Sequence, residues 1–170
     1  MRALKFFLLC LASALFAGCA SYHLGSVNGD VAGEKSVEIL PFNNQTFQPR
    51  LGDALTQALR ERMQVDGTYH LATHGAGDII VTGVIRFYAR ESLGASSTDV
   101  ASPIDYRVGA TVHVTARERS SGKLLFEKDV KGHALVSIGN DLASAERQSQ
   151  PVLAEDLARN IAGLLTEGAW

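Results

Sequence analysis

Cysteine is nearly absent from the chain: Cys10 and Cys19 are the only two. Cys10 falls inside a leading apolar segment, so the domain beyond it has no thiol left to pair. A disulfide framework and a cysteine-based metal site are therefore excluded, and the fold must stand on its hydrophobic core alone. Long apolar runs are missing as well. The stretch from Phe6 to Phe16 is well short of the ~20 residues that a spanning helix needs. Neither sign of charge dominates, with 16 Lys and Arg against 18 Asp and Glu, a formal net charge of −2. Without Arg2 and Lys5 the balance is 14 against 18, or −4, which gives no electrostatic reason to expect nucleic acid as a partner. There is no internal repeat and no low-complexity tract.

Catalytic constellations are missing too. No serine stands in a Gly-x-Ser-x-Gly context, and no acid, base and nucleophile gather at fixed spacing, so no catalytic residue and no enzyme activity are expected. The run Gly75, Ala76, Gly77 is a turn too short for a phosphate loop. His70 and His74 are four apart, but the segment contains Leu71, Ala72, Thr73 and then two glycines, with no Asp, Glu or Cys ligand at fixed spacing. Neither a metal nor a cofactor is expected there. His113 and His133 read as cross-strand neighbours on an open sheet face.

What is present begins with the first nineteen residues. Arg2 and Lys5 precede the apolar run, and Ala17, Gly18 and Cys19 follow it, the marks of a secretory signal with a small-residue cleavage site. Leu15 to Cys19 resembles the bacterial lipoprotein signal, in which cleavage leaves the cysteine as the first, acylated residue. The resemblance implies a signal peptide over 1–18, lipidation of Cys19 and a membrane anchor through that lipid. Ala20 after the cysteine implies sorting to the outer membrane, facing the periplasm. Residues 19–35 read as a tether, since Gly25, Asn28, Gly29 and Gly33 interrupt any regular pattern. Residues 36–170 form one domain, whose 46% hydrophobic and 20% charged composition is that of a globular protein.

Periodicity supplies the elements. Ser36 to Phe42 is a short strand ended by a polar run from Asn43 to Thr46. A helix follows, with Pro49 in its first turn, an apolar stripe of Leu51, Leu55, Ala58, Leu59 and Met63, and Asp66 with Gly67 as its stop. Thr68 to Ala72 reads as a short edge strand. Three longer strands then alternate with period two. In the first, Ile79, Val81, Ile85, Phe87 and Ala89 share the apolar face. In the second, Ile104 to Ala116 alternate with Asp105 to Arg117. In the third, Leu124, Phe126, Val130, Ala134 and Val136 point one way. Ser92 to Pro103 is a long loop, and Ser120 to Lys123 a hairpin turn. A helix from about Asp141 to Glu167 closes the chain on Leu153, Leu157, Ile161 and Leu164, with Pro151 predicting either a kink or a start near Gln150.

The economical arrangement is an α+β fold of order β-α-β-β-β-β-α. Its four- to five-stranded antiparallel or mixed sheet has short first strands at the edge, and both amphipathic helices pack on one face. The other face stays open, and Arg86, Arg90, Arg107, Arg117 and Lys131 are expected on it among Asp105, Glu127 and Asp129. Such cations suit phosphate groups or the acidic residues of a partner, and a mixed charged face is equally compatible with plain solvation.

This order behind a lipidated cysteine resembles the LptE family of lipopolysaccharide-assembly lipoproteins. Gly18 and Cys19 followed by Tyr22, His23 and Leu24 resemble the family's opening, and Asp105, Tyr106, Arg107 and Val108 the start of its central strand. Glu146 and Gln148 followed by Leu157, Ala158 and Ile161 resemble its final helix, and Pro41 to Pro49 is similar to the form in divergent branches. The resemblance implies a non-enzymatic partner of an LptD-like outer-membrane β-barrel, which such proteins plug and help to fold, with lipopolysaccharide as a further ligand. Family members carry a basic residue in the loop before the central strand and another before the final helix. Here Ser92 to Pro103 holds no Lys or Arg, so Arg90 and Arg147 are the nearby candidates, beside Arg86, Arg107 and Lys131. The strand ending at Asn44 before an amphipathic helix also resembles outer-membrane lipoproteins of the CsgG and LpoB kind, which bind a periplasmic or secretion partner.

Overall fold

The computed structural model describes residues 33–93, 105–137 and 141–167. The expected signal, Cys19, most of the tether, the 94–103 part of the expected loop and Asn140 lie outside the described residues. The elements are β1 (Ser36–Ile39), β2 (Asn43–Asn44), α1 (Leu51–Asp66), β3 (His70–Leu71), β4 (Ile79–Ser92), β5 (Asp105–Glu118), β6 (Leu124–Ser137) and α2 (Leu142–Glu167). One sheet holds all six strands in the order β3-β1-β4-β5-β6, with β2 also pairing β4. β1 runs parallel to β3 and β4, and β2 parallel to β4, while β4, β5 and β6 form an antiparallel meander. The α+β class with both helices in one core is as expected. The strand count is six because β2 is a separate piece.

That separation has a local cause. The Leu40 amide donates to the Val81 carbonyl at 3.0 Å, but Pro41 has no amide to offer, and the Phe42 amide turns instead to Thr56 Oγ1 at 3.0 Å. Thr56 is buried and its hydroxyl donates to the Gly52 carbonyl at 2.7 Å, so both of its hydrogen-bonding roles are filled. The Phe42 ring settles over β4 at Gly83, where a Cβ would stand 2.2 Å from the ring. The chain then rejoins β4 opposite Val84 and Ile85.

α1 buries Leu51, Leu55, Leu59 and Met63 completely, side chains worth about 1.5–3 kcal/mol each when fully buried. Gly67 ends it with φ 74°, its amide returning to the Met63 carbonyl at 3.3 Å. Pro49 stands ahead of the N-cap residue Arg50 rather than within the first turn.

α2 starts on Asp141, whose carboxylate accepts the Ala143 and Ser144 amides at 3.1 Å each and the Ser144 hydroxyl at 2.6 Å. These bonds, the hydroxyl first, hold that carboxyl below the usual aspartate range. The helix runs through Pro151 without a break. Pro151 lies on the exposed side, where water can serve the Arg147 carbonyl that it leaves without a donor. The buried stripe is Leu153, Leu157, Ile161 and Leu165, with Ala154, Ala158 and Ala162 beside it. Leu164, expected in the stripe, is only partly buried. α2 approaches β6 most closely at Gly132, where a Cβ would lie 2.6 Å from Leu157 Cγ and 3.1 Å from its backbone nitrogen.

Two β-bulges change the alternation. In β4 the register shifts between Ile85 and Phe87, so that Arg86 is the extra residue. Beyond it, Tyr88 lies opposite buried Ala110 and Arg90 opposite buried Val108, while Phe87 and Ala89 lie opposite Thr111 and Gly109. The expected faces are therefore exchanged, because one inserted residue inverts every later side chain of a period-two strand. A second bulge between Ala116 and Arg117 leaves Leu124 40% exposed and packs Leu125 against the core instead.

The chain enters this fold at one pole. The Gly33 amide donates to the Thr68 carbonyl at 3.0 Å. The start of β1 is fastened nearby, where the Ser36 amide and hydroxyl both donate to Asp78 Oδ2, at 2.8 and 2.6 Å. Those bonds, the hydroxyl first, lower the Asp78 carboxyl below its usual range.

Candidate interaction face

The uncovered side of the sheet is built from every second residue of the long strands. Its rows across β4, β5 and β6 read Glu91, Arg107 and Leu135; Ala89, Gly109 and His133; Phe87, Thr111 and Lys131; then Val84, His113 and Asp129. Gly109 leaves a gap in the middle, since a Cβ there would meet only the Gly132 carbonyl at 3.5 Å. A trough of about 620 Å³ results, lined by Phe87, Ala89, Thr111, Arg107, Lys131 and His133 among others. Phe87 is 70% and Leu135 66% exposed, so half of this face is apolar with cations among the apolar groups.

The other half is ionic. His113 Nδ1 lies 2.7 Å from Asp129 Oδ1 and its Nε2 lies 2.8 Å from Glu127 Oε1. Ionised carboxylates only accept, so this arrangement favours the doubly protonated ring, which can donate to both. The Asp129 bond first and the Glu127 bond second raise its pKa, against desolvation and the like charge of Arg86. Arg86 Nη1 approaches Asp129 at 3.8 Å. Titration of His113 followed by NMR should therefore fall above the ~6.5 of a free imidazole, and Asp129→Asn should bring it down. Because the folded value is the raised one, the contribution to stability is complete below the unfolded value of about 6.5 and is lost as pH rises from there through the higher folded value. His113→Gln should remove this slope from the pH dependence of unfolding.

Three of the five expected contact cations, Arg86, Arg107 and Lys131, share this face. Arg107 Nη1 is 3.7 Å from Glu91, and Lys131 has no ion pair among the described residues. Arg90 is on the other side. The bulge turns it toward α2, where its Nε lies 3.2 Å from Glu146. Tyr88 follows it, its hydroxyl donating to Glu146 Oε1 at 3.2 Å. Burial first, and then the Glu146 charge, push the Tyr88 phenol up to about 12. Arg147 stands on α2, donating to Ser144 Oγ at 2.9 Å, and is no part of the sheet face.

His113 and His133 are not cross-strand neighbours: the register pairs His113 with Asp129 and His133 with Gly109. The aromatic Phe87 escaped the sequence reading because its face depends on the bulge, which leaves no periodic mark. The acidic partners of His113 were within reach, since all three belong to the same face by alternation. Among the described residues no group of three or more His, Cys, Asp or Glu could hold a metal ion. None of the described helices is long and apolar enough to cross a membrane.

The family model described as LptE, lipopolysaccharide-assembly, matches residues 34–165, which takes in every strand and nearly all of α2. No curated protein matches the chain. Among solved structures, the hypothetical protein CT253 from Chlamydia trachomatis is similar with a TM-score of 0.55 at 12% identity, over 78% of this chain and 95% of that one. Protein XCC0632 from Xanthomonas campestris, assigned to DUF330, is similar with a TM-score of 0.57 at 9% identity, over 79% and 85% of the two chains. At these identities the likeness concerns the fold.

Proposed function

Because the chain belongs to the LptE lipopolysaccharide-assembly family, we propose that it is the plug and assembly partner of an LptD-type outer-membrane β-barrel. It is held at the periplasmic face of that membrane by acyl chains on Cys19. The role is non-enzymatic: the chain fills and steadies the barrel, and its open sheet face rests against the lumen wall. The family match across the whole domain carries this reading and favours it over the CsgG and LpoB resemblance.

The geometry supports the choice of face. Helices and one side of the sheet share a single core, so the opposite side keeps its full length for a partner. Each long strand has 14 residues, or roughly 45 Å at ~3.3 Å per residue. Arg107 and Lys131 are the Arg and Lys of the apolar half, Arg107 beside Glu91. Lipopolysaccharide passing this surface would meet them and Arg86, since Arg90 is committed to Glu146 and Arg147 stands on the helix.

The experiment is recovery of the barrel with the tagged chain from outer membranes. The double variant R107E/K131E should lower that recovery about tenfold, because like charges placed across an interface are strongly disfavoured, while the thermal midpoint stays in place. Undiminished recovery would remove the face assignment. A wild-type chain that brings down no barrel would remove the reading itself.

A further inference from the structure

The edges of this sheet are finished in different ways. β3, at one end of the strand order, is two residues long. β6, at the other end, is long but guarded by α2. The His133 amide donates to Asp156 Oδ2 at 2.9 Å, and the Lys131 carbonyl accepts from Asn160 Nδ2 at 2.9 Å. Blocking of this kind keeps an exposed edge from adding a foreign strand.

β4 is treated otherwise. On the side where β1 and β2 pair with it, its last partner is Asn44, opposite Ile85. From Phe87 to Ser92 it pairs with β5 alone, and among the described residues no strand covers the other side. The reason lies in Asn44. Its Oδ1 accepts from the Thr46 amide at 2.9 Å and the Thr46 hydroxyl at 2.7 Å, and its Nδ2 donates to the Gln48 carbonyl at 2.6 Å. This side-chain turn carries the chain away from β4 and leaves roughly 20 Å of strand edge, six residues at ~3.3 Å each, without a paired strand among the described residues.

A groove of about 520 Å³ lies there, between the turn at 45–48 and the strand at 86–90. Phe47 on the turn is fully exposed, and Phe87 is 70% exposed. The lining includes Arg86 and Arg90 and no Asp or Glu. Arg90 is held by Glu146, but the Arg86 contact with Asp129 is long at 3.8 Å, and both its side chains are about half exposed. A pair of that kind is weak and easily exchanged.

We propose that this notch takes an extended polypeptide segment of a partner, added to β4 as a further strand in line with β2. An apolar side chain of that segment seats between Phe47 and Phe87, and an acidic residue faces Arg86. Unpaired backbone supplies the affinity of such strand addition and the side-chain sites its selectivity. Nothing in this assignment depends on the barrel reading.

The purified protein, isotopically labelled, tests it with two short synthetic peptides. In one, threonine alternates with valine around a central aspartate; in the other, lysine replaces the aspartate. The aspartate peptide should bind saturably, with amide shifts and slowed hydrogen exchange confined to residues 45–48 and 86–92. The lysine peptide should bind about tenfold more weakly, and Arg86→Glu, at an exposed position, should reverse that preference. Phe47→Ala should weaken both peptides. Equal binding of the two, shifts centred on β6 or the trough, an absence of saturable binding, or amides of 86–92 already protected in the free protein would each overturn the proposal.

Discussion

Leu157→Ala is expected to destabilise the domain by about 3–4 kcal/mol, the middle of the range for a fully buried leucine. Leu157 is 0% exposed and packs against β6 at Gly132. Its Cγ and Cδ2 atoms would lie 2.6 and 2.8 Å from a Cβ at Gly132, so the leucine occupies the place that a side chain on the strand would otherwise take. Gly132→Ala should for the same reason cost about 1–3 kcal/mol by overpacking. The two changes act on one volume and should not add. In the double variant the new methyl partly fills the space the leucine vacates, although the helix backbone nitrogen at 3.1 Å limits the relief. Denaturant unfolding of the four proteins measures the coupling, which should be at least 0.5 kcal/mol in size, about what neighbouring sites show. Strict additivity would mean that helix and strand do not meet as described.

Cys19→Ser carries the second large effect, loss of membrane attachment where the proposed acyl chains alone supply it. Each buried acyl methylene is worth about 0.8 kcal/mol, so a single chain binds marginally while several hold almost permanently. An anchor acylated at this residue therefore changes from stable to none on exchange of one sulfur for oxygen. If the lipid alone holds the protein, fractionation of cells expressing the serine variant should find the domain in the soluble fraction, folded and with the wild-type melting temperature. Retention in the membrane fraction would place the attachment in the barrel partner rather than in the lipid.

Much of the architecture could be read from residue spacing. The α1 stripe, the Gly67 stop and the β5 alternation each report a burial pattern that repeats at the period of its element. Of the two starts that Pro151 left open for α2, about Asp141 or near Gln150, the structure has the first, where Asp141 caps the helix through the Ala143 and Ser144 amides. Strand direction and partner choice are another matter. Parallel pairing of β1 with β3 and β4 depends on contacts between segments far apart in the chain, and no local period encodes it. The bulge at Arg86 is the costliest omission. Val84, Arg86 and Tyr88 look like one face in the sequence, yet the extra residue sends Tyr88 and Arg90 to Glu146 and brings Phe87 out. Arg90, expected on the open face, lies on the other side because of that register shift.

The fastening of Gly33 beside Thr68, at the pole away from the β4 notch, bears on how the body sits above a bilayer. From Cys19 to Gly33 there are 33 − 19 = 14 residues, which fully extended reach at most about 50 Å. A leash of that length matches the long dimension of the sheet itself. With the proposed acyl chains on Cys19, the domain is free to stand, lie flat or turn over without straining its mooring, so such an anchor would dictate distance and leave posture to whatever grips the strands.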